Sequence, residues 1–269
     1  MKVAIVSNRS PKSRKVADEL LKRIKEKNKV AIDYETPNLV ISVGGDGTLL
    51  KAFHQYKQML DTVSFLGVHT GHLGFYTDWR DFELEQLVEE LCQVCGTDYP
   101  TTSYPLLDVE IEYRDEEKEH FVALNESTLR RITSTMVCDV YIREELFENF
   151  RGDGISVSTP TGSTAFNKSI GGAVIDPTVR VMQLSEIASL NNRVFRTLGS
   201  PMILGGDEWI EARLQETDDY TVTVDHLVIS SRNIAAIRYK MSKKNIRFIS
   251  TRHMPFWNRV RDAFISAVE

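Results

Sequence analysis

Along the first hundred residues, short apolar runs alternate with stretches whose apolar residues recur at helical spacing. Val3 to Val6 is a compact apolar run, as in a strand buried on both faces. Ser10-Pro11 has the form of a helix start, with Ser at the cap and Pro in the first turn, and Val16, Leu20, Leu21 and Ile24 follow at helical intervals. Leu39 to Val43 predicts a second buried strand that runs directly into Gly44-Gly45. Thr48 to Tyr56 predicts a helix, Val63 to Val68 a strand, and Asp81 to Val94 a helix with Leu84, Leu87, Val88 and Leu91 on one face. Strands alternating with helices imply a parallel sheet covered by helices on both faces.

After Pro100 the period changes from helical to two. Leu107, Val109, Ile111 and Tyr113 alternate with acidic residues, and a charged turn follows at Arg114 to Glu119. Val122 to Leu124, Val137 to Ile142, Ile155 to Val157 and Tyr220 to Ile229 are further strand-like segments. The exception is Val181 to Leu190, where Met182, Ile187 and Leu190 predict a short helix. Pro255 opens a last helix, in which Phe256, Val260 and Phe264 recur every four residues. The expected organisation is an α/β domain over 1–100, a β-rich domain over 101–250, and a C-terminal helix over 251–269 whose return to the first domain is one arrangement the pattern allows.

Composition narrows the function. Hydrophobic residues are 42% of the chain, enough for a normal core. The net charge of −5 and the lack of a basic stripe argue against general nucleic-acid binding, which draws on counterion release at a basic surface. No apolar run has the length of a signal peptide or a membrane span, so no membrane partner is expected. Cys92, Cys95 and Cys138 cannot all pair, and a cytoplasmic protein with reduced thiols is expected. Cys92-x-x-Cys95 has zinc-like spacing, but only one other cysteine exists to join it, and a half-buried helix end is the default; no protein metal site is assigned.

Three constellations could carry chemistry. Gly44-Gly45-Asp46-Gly47-Thr48 lies where a buried strand ends and a helix begins, the place where open α/β sheets bind ligands. Its glycines let backbone approach a phosphate, and the N–H groups of the first helical turn face an anion. Asp46 beside a phosphate would be repelled unless it holds Mg²⁺ or takes a proton; the alternative is a tight turn with Asp as a helix cap. Gly152-Asp153-Gly154, preceded by Arg151, leads through a strand into Ser158-Thr159-Pro160-Thr161-Gly162-Ser163-Thr164-Ala165, dense in hydroxyls and small residues, or else a plain turn-rich connection. Asn125-Glu126 at a strand end could read an amide edge or a ribose diol, Glu accepting and Asn doing both. His69 and His72 flank a Thr-Gly turn, as polar loop residues near a ligand rather than a metal site. There is no Gly-x-x-x-x-Gly-Lys-Ser/Thr loop, no protein-kinase signature, and Leu50 stands where the third glycine of a dinucleotide fingerprint would be.

In this order the motifs resemble the NAD kinase family, which makes NADP from NAD. Gly44 to Thr48 resembles the family's first signature and His69-Thr70-Gly71-His72-Leu73-Gly74-Phe75 its second. Leu124-Asn125-Glu126 resembles the third, and Gly152-Asp153-Gly154 through Phe166 the fourth. His-Thr-Gly-His, Phe166 and the short N-terminus resemble the form of low-GC Gram-positive bacteria. The resemblance implies that Asp46 is the general base for the adenosine 2′-hydroxyl and that Gly44, Gly45 and Gly47 cradle the phosphates of ATP or another donor. It implies that Phe75 lies at the nucleotide site, that Asn125 and Glu126 hold an adenine or ribose edge, and that Asp153, with Arg151 beside it, lies toward the nicotinamide. Thr161, Thr164, Ala165 and Ser169 would line the adenine pocket, Phe166 would bind the cofactor through ring packing, and Ala188, on the expected helix, would pack on the nucleotide. Mg²⁺ accompanying ATP and a homodimer or homotetramer are further implications. Phe166 replaces the usual Tyr, His72 the usual Asn, and Asp225-His226 the usual Asp-Gly. The competing readings are an NAD(P)-dependent oxidoreductase, a non-catalytic NAD(P) sensor, and a lipid or sugar kinase sharing the first loop. The oxidoreductase requires an acidic residue after the next strand, where His69 stands instead.

Overall fold

A computed structural model describes residues 1–71, 74–94, 99–215, 220–229, 233–252 and 254–266. The chain divides into two compact units, Met1–Ser103 with Ile246–Glu269, and Tyr104–Asn245.

In the first unit, β1 (Lys2–Ser7), β2 (Ala31–Ile32), β3 (Leu39–Val43), β4 (Ser64–His69) and β5 (Trp79–Arg80) pair in parallel in the order β2-β1-β3-β4-β5. Every residue of β3 and β4 is buried, the polar Ser42, Ser64 and His69 included, as in strands covered on both faces. Three helices accompany them: α1 (Pro11–Lys27), α2 (Asp46–Tyr56) and α3 (Leu84–Gln93). Pro11 sits in the first turn of α1, and the helix ends at Asn28, left-handed at φ 50°. Ser10 is at the cap position, but its hydroxyl makes no capping bond. α1 buries Ser13, Ala17, Leu20 and Ile24 along one stripe. α2 begins two residues before the pattern predicts, so Asp46 is its first residue and Gly45 its cap. Cys92 is close to the end of α3 and half-buried, and Cys95 lies outside the described residues, as does His72.

Among the described residues the second unit is built of strands apart from a 3₁₀ turn, Thr161–Thr164, and a short turn of α-helix. One antiparallel sheet contains β6 (Thr101–Tyr113), β7 (Lys118–Ala123), β9 (Met136–Ile142), β10 (Glu145–Gly152), β14 (Trp209–Leu214) and β17 (Ile234–Ile249). The other runs β13-β12-β11-β8-β15-β16, with β8 Glu126–Arg131, β11 Gly154–Ser158, β12 Val181–Ile187, β13 Met202–Gly205, β15 Tyr220–Val224 and β16 Leu227–Ile229. Both sheets contribute to one core that includes Val109, Leu129, Phe150, Val157, Leu184 and Tyr239. A single turn, α4 (Phe166–Ser169), follows the hydroxyl-rich segment.

The helix expected over Val181–Leu190 is the strand β12, and Ala188 therefore sits on no helix. Met182 and Leu184 do alternate into the core, but the intervening Gln183 and Ser185 are buried too. Gln183 exchanges hydrogen bonds with the backbone of Ala173, and the Ser185 hydroxyl donates to Asn167 Oδ1 at 2.7 Å. Polar residues satisfied on the second face hide the period of two. The single segment expected over Tyr220–Ile229 is a hairpin, broken by Asp225 in the left-handed region at φ 53°.

The last residues of β17 belong to the first unit, where Phe248 pairs in parallel with Phe65 of β4. α5 (Phe256–Phe264) follows and packs on that unit, the Phe256 and Phe264 rings lying 6.2 and 5.7 Å from that of Phe75. Among the described residues no helix is long and apolar enough to cross a membrane.

Candidate active site

In the first unit the glycine-rich loop stands at the C-terminal end of β3, between the ends of β1 and β4. The Gly44 N–H still pairs with Val68 O at 2.9 Å, and Thr48 N–H closes the first turn of α2 on Gly45 O at 2.8 Å. The three glycines differ in purpose. A Cβ on Gly44 would lie 2.2 Å from Thr48 Oγ1, so that glycine serves the loop itself. Gly45 and Gly47 are exposed with nothing within 4 Å of a Cβ, which leaves open space over a helix N-terminus. The first N–H groups of a helix lack intrahelical partners, and such an opening suits an anion.

Asp46 points from this turn toward the segment after β4. Its Oδ2 accepts the Phe75 N–H at 3.0 Å and its Oδ1 accepts the Tyr76 N–H at 3.1 Å. Gly74 makes the approach feasible, because any Cβ there would fall inside the carboxylate. The half-buried carboxylate is thus clamped by two peptide donors rather than capping its own helix, and no side-chain cap bond is found at α2. Phe75 contributes its N–H to Asp46 while its ring belongs to the cluster with Phe256 and Phe264. His69 Nδ1 lies 3.0 Å from Gly71 O, and its buried Nε2 has no hydrogen-bond partner.

In the second unit the predicted residues form two clusters. Asn125 and Glu126 enter β8, and both are buried. Gly162 packs directly on Asn125, whose carbonyl would be 2.1 Å from a Cβ, and Thr159 N–H donates to that carbonyl at 2.9 Å. Most hydroxyls of the 158–164 segment are spent on the turn. Thr159 donates to Leu124 O, Ser158 to the carbonyls of Asn125 and Thr159, Ser163 to Ile175 O, and Thr164 to Thr161 O. The Thr161 hydroxyl and Glu126 Oε2 are buried without a partner, the condition in which a polar atom calls for one. Burial, and then the charge of Asp225, push the Glu126 carboxyl up to about 8. At neutral pH it keeps its proton and can donate as well as accept, an addition to the acceptor role read from the sequence. Thr164, Ala165 and Phe166 are half-buried beside this cluster and Ser169 is exposed.

The second cluster surrounds Gly152-Asp153-Gly154. Asp153 is exposed, its N–H bound to Ile187 O at 2.9 Å, and Ala188 follows in the left-handed region at φ 47°. The Arg151 guanidinium covers the Phe195 ring at 4.1 Å, and Arg151 O accepts the Leu190 N–H. β11 joins the clusters, with Ser158 opposite Glu126 at one end and Gly154 opposite Ile187 at the other. Four strand steps separate them by about 13 Å, so one nucleobase cannot reach both.

Two residues outside the sequence-predicted site, Asp225 (singled out only as the start of the Asp225-His226 pair) and Asn167, lie within these clusters. Asp225 accepts the N–H groups of Leu124, Asn125 and Glu126 at 3.0, 2.7 and 3.3 Å, and its own N–H returns to Glu126 O. Its pairing with a motif a hundred residues away carried no local signal. Asn167 is fully buried, and its only sign was its place after the hydroxyl-rich segment.

A parallel α/β unit with a glycine-Asp loop at a strand end, and a β-sandwich unit with buried polar clusters, define a nucleotide-handling protein of two units. The ATP-NAD kinase N-terminal domain matches residues 3–99 and the ATP-NAD kinase C-terminal domain residues 124–251. The chain is 61% identical to an NAD kinase of Enterococcus faecalis, over 98% of this chain and 99% of that one. It is 53% identical to an NAD kinase of Latilactobacillus sakei, over 99% and 98%. Among solved structures, a yeast NADH kinase complexed with NADH superposes with a TM-score of 0.83 at 19% identity, covering 100% of this chain and 89% of the other. An NAD kinase from Archaeoglobus fulgidus in complex with ATP gives 0.70 at 23%, covering 96% of each. Both share the fold. The chain belongs to the NAD kinase family, the enzymes that phosphorylate NAD to NADP with ATP, and its relatives of high identity come from low-GC Gram-positive bacteria. The oxidoreductase and the lipid- or sugar-kinase readings are thereby set aside.

Proposed function

We propose that the chain transfers the γ-phosphoryl group of ATP to the 2′-hydroxyl of the adenosine ribose of NAD, with Asp46 as general base. The 2′-oxygen forms its bond to the γ-phosphorus as the bond to the β-phosphate oxygen breaks; Asp46 takes the hydroxyl proton, and ADP leaves. The observation that carries this reading is the Asp46 carboxylate, oriented by the Phe75 and Tyr76 N–H groups beside the open Gly45 and Gly47. A helix cap would bond its own first turn; a carboxylate clamped from outside, next to an anion-binding opening, is placed to receive a proton. Phosphoryl transfer asks for positioning and charge neutralisation more than covalent chemistry.

The donor phosphates are assigned to the opening over Gly45 and Gly47, in a loop that Gly44 allows to close on Thr48. Among the described residues no three His, Cys, Asp or Glu side chains come together to hold a metal ion. Mg²⁺ is assigned to the ATP substrate, where phosphates and water would hold it, as is usual for this cation. Asn125, Glu126 and Thr161 are assigned to the adenosine edge, with Thr164, Ala165, Phe166 and Ser169 around the base. Arg151, Asp153 and Ala188, at the far end of β11, are assigned to the nicotinamide half. The separation of the two clusters suits a dinucleotide. A homo-oligomer in the cytoplasm completes the reading.

The test is NADP formation by the purified protein with NAD, ATP and Mg²⁺, beside Asp46→Asn. A general base contributes about 10²- to 10⁴-fold, so kcat falls by that factor while calorimetric NAD binding persists. Undiminished turnover in the variant removes Asp46 from the role. NAD binding with no NADP from any donor leaves a sensor.

A further inference from the structure

Arg259 is the one buried residue of α5, 3% exposed in a helix that is otherwise half-buried or exposed. Arginine is seldom buried unless it is fully paired, so its partners carry the meaning. Its Nη1 donates to Gly74 O at 2.9 Å and to Thr77 O at 2.8 Å, and its Nη2 to the Asp78 carboxylate. Asp78 is anchored in turn, its N–H on Gly67 O at 3.1 Å within β4 and its Oδ1 accepting the Met254 N–H. The guanidinium thus fastens residues 74–78 from their carbonyl side.

The opposite side of that segment faces Asp46. The peptide between Gly74 and Phe75 takes part on both sides, its oxygen accepting from Arg259 and its N–H donating to Asp46 Oδ2 at 3.0 Å. The next N–H, that of Tyr76, donates to Oδ1 at 3.1 Å. A cation on a peptide oxygen fixes the plane of that peptide and polarises its N–H toward a stronger donor. The constraint matters at this peptide, because glycine on one side leaves its plane free to rotate. The C-terminal helix is therefore connected to the carboxylate through one guanidinium and one peptide.

We propose that Arg259 is a positioning residue for phosphoryl transfer, setting the Gly74–Phe75 peptide plane and through it the orientation of the Asp46 carboxylate. This rests on Asp46 as the base. Buried beneath the 74–78 segment, Arg259 acts through the peptide and decides where the proton acceptor sits. Lysine keeps the charge but not the fork that serves two carbonyls and a carboxylate together.

The experiment uses Arg259→Lys and Arg259→Met in the full chain, each alone and combined with Asp46→Asn. Amide hydrogen exchange at Phe75 and Tyr76 is measured beside steady-state kinetics. The expected results are faster exchange at both amides and a kcat lowered by about 10²-fold for Met, the scale of a 1 Å misplacement, and by less for Lys. KM for NAD and ATP stays at the wild-type value, and in the Asp46→Asn background neither substitution lowers the residual rate further. An anchor for α5 alone would lower the rate by the same factor in both backgrounds, and that result, or unchanged protection of the Phe75 amide in Arg259→Lys, overturns the proposal. If Arg259→Met does not fold, Arg259→Lys decides both readouts. Full turnover of Asp46→Asn by itself overturns the base assignment, and the amide exchange still decides whether Arg259 holds the peptide.

Discussion

Replacing Gly74 by alanine is a sharp steric test of where Asp46 must be. A Cβ at that position would stand 2.2 Å from Asp46 Oδ1, 2.7 Å from Cγ and 2.9 Å from Oδ2. Unstrained contacts begin near ~3.5 Å, so the carboxylate has to retreat by about 1 Å or the 74–78 segment has to lift. Either movement stretches the 3.0 and 3.1 Å bonds from the Phe75 and Tyr76 N–H groups out of hydrogen-bonding range. A base acts within ~2.6–3.2 Å of its proton, and a displacement of about 1 Å lowers the rate by about 10²-fold, or about 2.7 kcal/mol in the barrier. Stability falls by a comparable amount: overpacking costs about 1–3 kcal/mol, and each kcal/mol lowers the Tm of a chain of this size by about 2–4 °C. The assay is kcat for NADP formation at saturating NAD and ATP, with a melting curve on the same preparation. Gly205→Ala, where a Cβ meets nothing within 4 Å, controls for the change in backbone freedom. A folded Gly74→Ala protein with wild-type kcat would refute the claim that this carboxylate position governs the rate.

Asp225→Ala removes the acceptor of three peptide N–H groups at residues 124–126. Urea denaturation should show a loss of about 3 kcal/mol or more, with NAD binding weakened alongside, whereas a loss under about 1 kcal/mol would deny the bracket its importance. The Glu126 carboxyl gives a pH signature. Its folded value, about 8, lies above the 4.5 of an unperturbed glutamic acid, so between these limits the folded state holds the proton that the unfolded state releases. Stability should therefore fall as pH rises from about 4.5 to about 8, and Glu126→Gln should flatten that part of the profile. Identical pH profiles for the two proteins would place the Glu126 carboxyl in water rather than in the core.

What the sequence determined by itself is local in origin. An apolar run ending in Gly44-Gly45 and followed by a helical pattern can only be a buried strand meeting a helix N-terminus, and Asp46 falls in that turn by adjacency. The Leu107–Tyr113 alternation reports a strand with one face in the core for the same reason, as does the stripe of α3. The segments at residues 125–126 and 152–166 stood out only in their order along the chain, through the resemblance to a family, since each alone could be an ordinary turn. Tertiary structure decided what depends on partners far away in the chain. Asp225 reaches back about a hundred residues to hold the Asn125-Glu126 turn, and Arg259 reaches 185 residues back to the Gly74 carbonyl. β12 looked helical because Gln183 and Ser185, polar yet buried, are satisfied by Ala173 and Asn167 from an intervening loop. The sequence left the hydroxyls of residues 158–164 open between ligand donors and a plain turn, and the fold consumes most of them in its own turn. Periodicity records which face a residue shows to the core, whereas hydrogen bonding between distant segments leaves no period, and the orientation of the candidate base is set by such bonds.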